Sequence, residues 1–586
     1  MTNFKIEKLP FDKAAVAAWQ QADQDHVNWP VVYTISDAEE IYVGETVNAA
    51  SRLQQHLATL GRSHLERVQI ILNKTFNKSV CLDLESQLIR YFAADEKFKV
   101  LNLNTGISDA NYFDREKYRQ DFDGLFNKLY DDGYLTKPVP EIVNSNLFKY
   151  SPFKSLNTDQ AVALTGIMER FFSIASGLRD DEIVVRGDPG TGKTIIAIYL
   201  IKLIKDIAHH LPDDSADNDS IFNEYFAPEY KVLVENIRVG LVIPQQSLRK
   251  TVQIVFDQTP GLEKGMILSP FDVGNATEKF DLLVVDEAHR LGQRANQSSA
   301  SQNTAFSEIN LRLFGDDEKS RTQLDWIRKQ SKARILLVDA AQSIKPADLP
   351  LPVISKLISA ADSRDALFHL SSQMRVQGGS DYIEFAQALL SQKPINASNF
   401  GAYDLRFFDN FASMRDEIES RNTEHELARL VAGFAWPWSS KKDKTQFDIE
   451  IEGTTLFWNR TATDWINSKT SIDEVGSIHT IQGYDLNYAG VIIGPDIKWD
   501  STNQQIVFDR KSYFDVKGKE NNPTLGITYS DEDILQYILN IYRVLLTRGV
   551  KGTYVYVSDE GLRAHLKKFM PNSHTQHSQT SKLQTP

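Results

Sequence analysis

The residues best suited to chemistry sit in the run GDPGTGKT, where Gly187, Asp188, Pro189, Gly190, Thr191, Gly192, Lys193 and Thr194 join an apolar strand pattern, EIVVRG, to a helical one, TIIAIYLIKLI. Glycines at this spacing let successive backbone N–H groups curl around a phosphate, and the positive end of the following helix adds to the attraction. Lys193 is then placed to reach β- and γ-phosphates and the Thr194 hydroxyl to ligate Mg²⁺, so the expected cofactors are ATP and Mg²⁺. A second run, DLLVVDEAH, ends four apolar residues in Asp286 and Glu287. Asp286 is expected to hold the metal and Glu287 to polarise an attacking water. Nearer the N-terminus, Glu85 falls inside the apolar helical stripe of Cys81, Leu84, Leu88 and Phe92. A carboxylate there is costly unless paired or metal-bound, which makes it a functional candidate. Arg52 and His56, four apart, share one helical face.

The elements that must position these residues follow from periodicity. From Ser155 onward, short Val/Ile/Leu-rich runs (EIVVRG, RVGLVIP, DLLVVDE, ARILLVDA, TTLFWN, VGSIHT, GVIIGP and TYVYVS) alternate with helical patterns, as in parallel α/β sheets. Before them, VVYTI and IYVGE flank the polar turn SDAE and predict a hairpin, followed by a helix, NAASRLQQHLATLG. The stretches PDDSADNDS and GQRANQSSASQNT read as surface insertions, and the polar tail from Pro571 as disordered. The expected domains are 1–108, a small α/β unit; 109–150, a helical connector; 151–350 and 351–568, two lobes; and 569–586, the tail.

The net charge of −13 argues against a general nucleic-acid coat, but a motor that grips its track in a local groove is compatible with it. The one cysteine, Cys81, excludes an internal disulfide framework and fits a reducing compartment. No apolar run is long enough to span a bilayer. The expectation is a cytoplasmic protein without a membrane partner.

The order of further motifs carries a resemblance. From about Leu156 to Leu566 the chain resembles superfamily 1 helicases, and more closely the Schlafen-type helicase domain. LNTDQ matches the adenine-reading segment with Gln160; VIPQQSLRKTV the segment touching the nucleic-acid backbone; LLVDAAQSIKP the motif with Asp339 and Gln342 that couples the lobes. LSSQMRVQG carries Arg375, SIHTIQGYD carries His479, Gln482, Gly483 and Asp485, and NIYRVLLTRGVKG carries Tyr542, Arg543, Thr547 and Arg548. The resemblance implies two RecA-like lobes that sandwich ATP, with Arg375 and Arg548 aimed at the γ-phosphate. Trp458 and Trp465, beside Phe457 and Arg460, are candidate base-stacking residues.

Residues 28–105 resemble the GIY-YIG nuclease domain. Tyr33 stands for its first tyrosine, Tyr42-Val43-Gly44 for its second triplet, and Arg52, Glu85 and Asn102 for its arginine, metal-binding glutamate and closing asparagine; the first triplet reads Val-Val-Tyr and lacks Gly-Ile. The resemblance implies that Tyr33 helps deprotonate water, Tyr42 supports the site, Arg52 stabilises phosphate charge, and Glu85 holds one Mg²⁺ or Mn²⁺ with His56 joining in. Together the two resemblances imply an ATP-dependent nuclease–helicase acting on DNA, an architecture suited to restriction or anti-phage defence. An ATP-gated nucleic-acid-binding switch with a non-cutting N-terminal domain, and an RNA-directed enzyme, stay open.

Overall fold

The computed structural model describes residues 4–23, 26–59, 61–102, 112–179, 181–210, 221–294, 297, 299–339, 344–391, 394–461, 465–481 and 484–570. The first sheet is built from β1 (Lys5–Pro10), β2 (Val31–Ser36), β3 (Glu40–Thr46), β4 (Arg67–Leu72) and β5 (Lys99–Val100), in the order β1-β4-β2-β3-β5. The hairpin β2–β3 is antiparallel, with Tyr33 opposite Gly44 and Ile35 opposite Tyr42. Its turn is closed by Asp37, whose carboxylate accepts from the backbone N–H of Glu39 and Glu40 at 2.8 and 2.7 Å. Alternation divides the strands between two cores. Val32, Ile41 and Val43 pack on the helix Lys78–Asp95, and Tyr33, Ile35 and Tyr42 on the helices Lys13–Ala22 and Ala49–Ala58.

The segment 109–150 is expected to be a connector, but its described residues, from 112 onward, are instead part of this first body. The helix Arg115–Asp131 buries Phe122, Leu125, Phe126 and Leu129 in the same core as Cys81, Leu84 and Leu88. The spacing of those four residues makes a stripe that only tertiary packing can cover. Asp83, buried in the facing helix, fixes the dock by accepting from Tyr112 Oη at 2.9 Å and pairing with Arg115 and Arg119 at 3.5 Å each.

The second sheet is wholly parallel. It comprises β6 (Glu182–Gly187), β7 (Val239–Val242), β8 (Ile267–Leu268), β9 (Phe280–Val285), β10 (Ser331–Val338) and β11 (Leu367–Leu370), ordered β11-β6-β10-β9-β7-β8. The edge strand β11 pairs with β6, so the first lobe extends beyond residue 350, where the lobes were expected to divide. LFHL is short and half-exposed, and carries no alternation that marks it as a strand. The third sheet contains β12 (Asp404–Phe408), β13 (Ala428–Ala432), β14 (Ile449–Ile451), β15 (Thr454–Trp458), β16 (Glu474–Ser477), β17 (Leu486–Ile493) and β20 (Gly549–Val557), ordered β12-β20-β17-β13-β16-β15-β14. Only β14 runs antiparallel to its neighbour; β18 (Ile497–Asp500) and β19 (Gln505–Phe508) form a separate hairpin. The fold is thus α/β with two parallel-sheet lobes of RecA type.

PDDSADNDS lies wholly outside the described residues, as does the tail from residue 571. The start of GQRANQSSASQNT is not a loose insertion: Gln293 is buried and donates to the carbonyls of Pro346 and Asp348 at 2.9 and 2.8 Å. Among the described residues, no helix is long and apolar enough to cross a membrane.

Candidate functional site

The loop 187–192 leaves β6 and enters the helix Lys193–His209, which begins as soon as the glycines end. Gly190 and Gly192 hold φ of +85° and +84°, a region L side chains rarely occupy. A Cβ on Gly187 would stand 2.5 Å from Thr191 Oγ1, so the loop is a cradle that a side chain would fill. Lys193 Nζ is buried, donating to the carbonyls of Gly187 and Asp188 at 2.6 and 3.1 Å and lying 3.5 Å from Asp339. Thr194 Oγ1 donates to Asp286 Oδ2 at 2.7 Å, joining the end of the loop to the end of β9. Hydroxyl and carboxylate are therefore within reach of one hard cation, and this donor set suits Mg²⁺.

Burial, then the neighbouring charge of Glu287, lifts the Asp286 carboxyl to about 6. Burial acts on Glu287 in the same direction, but His289, Arg290 and Lys193 outweigh it and hold this carboxyl well below its ordinary range. His289 Nε2 lies 3.1 Å and Arg290 Nε 3.3 Å from Glu287 Oε2. Glu287 also sits at φ +50°. A non-glycine residue held there costs on the order of 1 kcal/mol, the kind of strain that clusters at functional sites.

Across the cleft stand Arg375, Asp485 and Arg548. Arg375 Nε lies 2.5 Å from Asp485 Oδ1, and the Arg375 backbone N–H donates to Gln373 Oε1 at 2.8 Å. Gln373 Nε2 in turn donates to the Pro189 carbonyl of the loop at 2.8 Å. Arg548 is 3% exposed, and among the described residues no acceptor reaches its Nε. A buried cation with an unmet donor fits an anionic ligand better than a closed structural role. These groups share one cavity of about 100 Å³ with Gly190, Lys193 and Thr194. Together, loop and cations fit a nucleoside triphosphate.

Other expected residues are placed differently. Gln160 is buried and braces the site: its Nε2 donates to the Thr191 carbonyl at 3.0 Å, and its Oε1 accepts from Asn157 N–H at 3.3 Å in a capping box. Gln342, Gln482 and Gly483 lie outside the described residues. Gln245 and Ser247, expected on the nucleic-acid backbone, donate to the His479 carbonyl at 3.3 and 3.4 Å and so tie the two lobes together. Tyr542 donates to Asp496 at 2.6 Å, and Arg543 to the Gln387 carbonyl at 3.2 Å; both hold the second lobe together. The stacking expectation for two tryptophans is corrected. Trp458 is 4% exposed, and Trp465 is fully buried, donating to Glu474 at 2.8 Å. Phe457 points differently: its half-buried ring lies 4.5 Å from the exposed Phe447 and 3.9 Å beneath the Arg460 guanidinium.

In the first body, Tyr33, Tyr42, Arg52 and His56 come together. Tyr33 Oη lies 2.7 Å from His56 Nε2, and the Tyr42 ring 4.9 Å from the imidazole. A Cβ on Gly44 would meet Tyr33 Oη at 2.4 Å, so glycine is required across the hairpin. Arg62, which the sequence did not single out, completes the cluster: it donates to His56 Nδ1 at 2.6 Å and lies 3.8 Å over the Tyr42 ring. Six residues beyond His56 and past the helix end, it carries no periodic signal. Burial, then Arg62 and Arg52, drives the His56 pKa down to about 2. Asn102 clamps the strand by donating to the Val43 carbonyl at 2.7 Å and accepting from its N–H at 3.0 Å. Glu85 is half-buried on the helix Lys78–Asp95. Burial, then the charges of Glu45 and Glu85, pushes the Cys81 thiol up, so both carboxylates lie near it.

An uncharacterized protein of Saccharomyces cerevisiae is 25% identical over 402 residues, covering 65% of this chain and 83% of that protein. A solved structure of two coordinating Pif1 helicases on forked double-stranded DNA matches at 8% identity and a TM-score of 0.26, covering 66% of this chain and 91% of that one. The Pif1 helicase of Candida albicans matches at 10% identity and a TM-score of 0.25, covering 71% and 99%. The model of the Schlafen group 3 DNA/RNA helicase domain matches residues 181–559, more than half of the chain and the whole span from β6 to β20. With the phosphate loop, the paired acids and the facing arginines all inside that span, the chain belongs to the Schlafen group 3 DNA/RNA helicase domain family.

Proposed function

We propose that the chain is an ATP-driven motor on nucleic acid, DNA in the first instance, whose N-terminal body cuts the strand that the motor engages. The observation that carries the motor reading is the cleft itself, with Thr194 bonded to Asp286 on one wall and the buried Arg548 beside Arg375 on the other. ATP with Mg²⁺ would supply a phosphoanhydride bond whose hydrolysis drives the lobes. Thr194 and Asp286 would hold the ion, Lys193 would neutralise phosphate charge, and Glu287, kept ionised by its cationic neighbours, would orient and deprotonate the attacking water. Arg375 and Arg548 would close on the γ-phosphate, drawing the lobes together. Phe447, Phe457 and Arg460 form a partly exposed row, the two rings tilted at 36° to each other, on which bases can lie.

The cutting reading rests on the Tyr33–His56–Arg62 cluster. Arg62 has only donors, so it must donate to His56 Nδ1; the imidazole proton then sits on Nε2 and is given to Tyr33 Oη. That hydrogen bond would stabilise a Tyr33 phenolate, which could take a proton from water only after the phenol has given its own proton to solvent; Arg52, whose charge reaches His56, would serve the phosphate. Glu85, on the helix packed against the other face of the sheet, would hold one divalent ion. Such a pairing of motor and nuclease suits anti-phage defence or restriction.

Cleavage of long duplex DNA in Mg²⁺, with and without ATP, tests this with Glu85→Ala and Lys193→Ala alongside. Cutting that requires both residues and ATP is the expected result. Cutting that needs Glu85 but persists in Lys193→Ala separates the two activities. ATP hydrolysis with no cutting of DNA, RNA or single strands would leave a nucleotide-gated binding switch.

A further inference from the structure

We propose that the N-terminal body reads the nucleotide state directly, through Lys149 and Tyr150, which it places in the wall of the ATP cleft. This rests on the ATP-site reading above. Lys149, Tyr150 and Lys154 line the same cavity as Gly190, Lys193, Arg375 and Arg548; Lys149 ends a helix packed on the N-terminal body, and Tyr150 next to it packs against the core of the first lobe. They continue from the short helix Asn146–Lys149, whose Phe148 is seated on the helix that carries Glu85. The Arg90 guanidinium lies 4.1 Å from the Phe148 ring, and the Tyr91 ring meets it edge-on at 5.2 Å. Ser86, next to Glu85, bonds Ser155 at 2.8 Å. One residue after this anchor, Lys149 Nζ donates to the Asp485 carbonyl at 3.4 Å.

The same segment touches both lobes. Asn144 donates to Glu426 at 2.9 Å and accepts from Asn487 at 3.4 Å on the second lobe. Phe153 lies 5.6 Å from Lys202 Nζ, on the helix that follows the phosphate loop. The Asp485 carboxylate, burial notwithstanding, is kept ionised by Arg375, Lys149, Arg548 and Lys154. A polyphosphate entering the cleft competes with Asp485 for those same cations. Any movement of Asp485 relative to the phosphate loop therefore pulls on Lys149, and through Phe148 on the helix bearing Glu85. Nucleotide binding thus becomes a displacement of the helix that bears Glu85.

Hydrogen–deuterium exchange of the full chain, with and without a non-hydrolysable ATP analogue and Mg²⁺, tests this. Slower exchange is expected in the phosphate loop, in 146–155 and in 78–95. In Phe148→Ala the loop should remain protected while the response of 78–95 disappears, and Phe148→Leu should restore it. Lys149→Ala should weaken analogue binding about tenfold, as for loss of one charge-assisted contact, with Lys149→Arg recovering most of it. Protection of the loop with unchanged exchange in 78–95 of the parent chain would overturn the coupling while leaving the ATP site intact. No protection even at the loop would overturn both.

Discussion

Single residues here hold energies large enough to measure. His56 is neutral in the folded chain, its pKa lowered to about 2 by burial and by two arginines, whereas an unfolded histidine titrates near 6.5. The unfolded state therefore binds a proton that the folded state refuses. The contribution is fully present above pH ~6.5 and falls by about 1.4 kcal/mol per unit below it, roughly 2 kcal/mol by pH 5. Urea unfolding of the full chain at pH 7 and pH 5 should show that loss, and His56→Asn should remove its share of it. Glu287, strained at φ +50° and ionised, is poised as a base. Glu287→Gln should lower kcat for ATP by roughly 10²–10⁴ while fluorescent-nucleotide binding persists. Loss of binding to the same degree would give Glu287 a structural role instead.

Elements differ from their sequence signatures where partners are distant. The helix Arg115–Asp131 reads as a linker because its neighbours are polar, but Leu125 is 1% exposed. Leu125→Ala should destabilise the N-terminal body by about 2–5 kcal/mol, read as early proteolysis of residues 1–150. A true linker would tolerate it. The strand TTLFW was legible, but which of its aromatics faces solvent was not. Trp458→Ala should cost about 3–5 kcal/mol of stability in the second lobe, since its ring is buried. Phe457→Ala should instead weaken single-strand binding by about 1–3 kcal/mol, measured by fluorescence anisotropy. Equal affinity in parent and Phe457→Ala would remove this row from the track.

At the scale of the whole molecule, the lobes meet at a set of charges that neither satisfies alone. Arg548 is held below the ordinary guanidinium range by burial, then by Arg375 beside it. In the protein it faces the Asp485 carboxylate and donates to the Tyr484 carbonyl at 3.5 Å, and an anion between the lobes would add a further partner. At an ATP-analogue concentration a hundred times Kd, the parent chain should gain about 2.7 kcal/mol, seen as a rise in Tm. Arg548→Ala should lose most of that gain. An undiminished gain would place Arg548 outside the nucleotide's reach.

The phosphate loop was legible because its chemistry is contiguous. Residues 187–194 carry their own backbone geometry, and the two acids end a parallel strand, so that Asp286 and the phosphate loop lie at the same edge of the sheet, one strand apart. The hairpin of Tyr33 and Tyr42 was legible for the same local reason, as alternation and a turn set its register. What only the tertiary structure decided are contacts between residues far apart in sequence. These are Arg62 on His56, Phe148 on the helix of Glu85, β11 beside β6, and Lys149 in a cleft built by two other bodies. None of these has a period or a spacing. Each exists because a buried charge or ring must find its complement, and that complement is present only once the chain has closed.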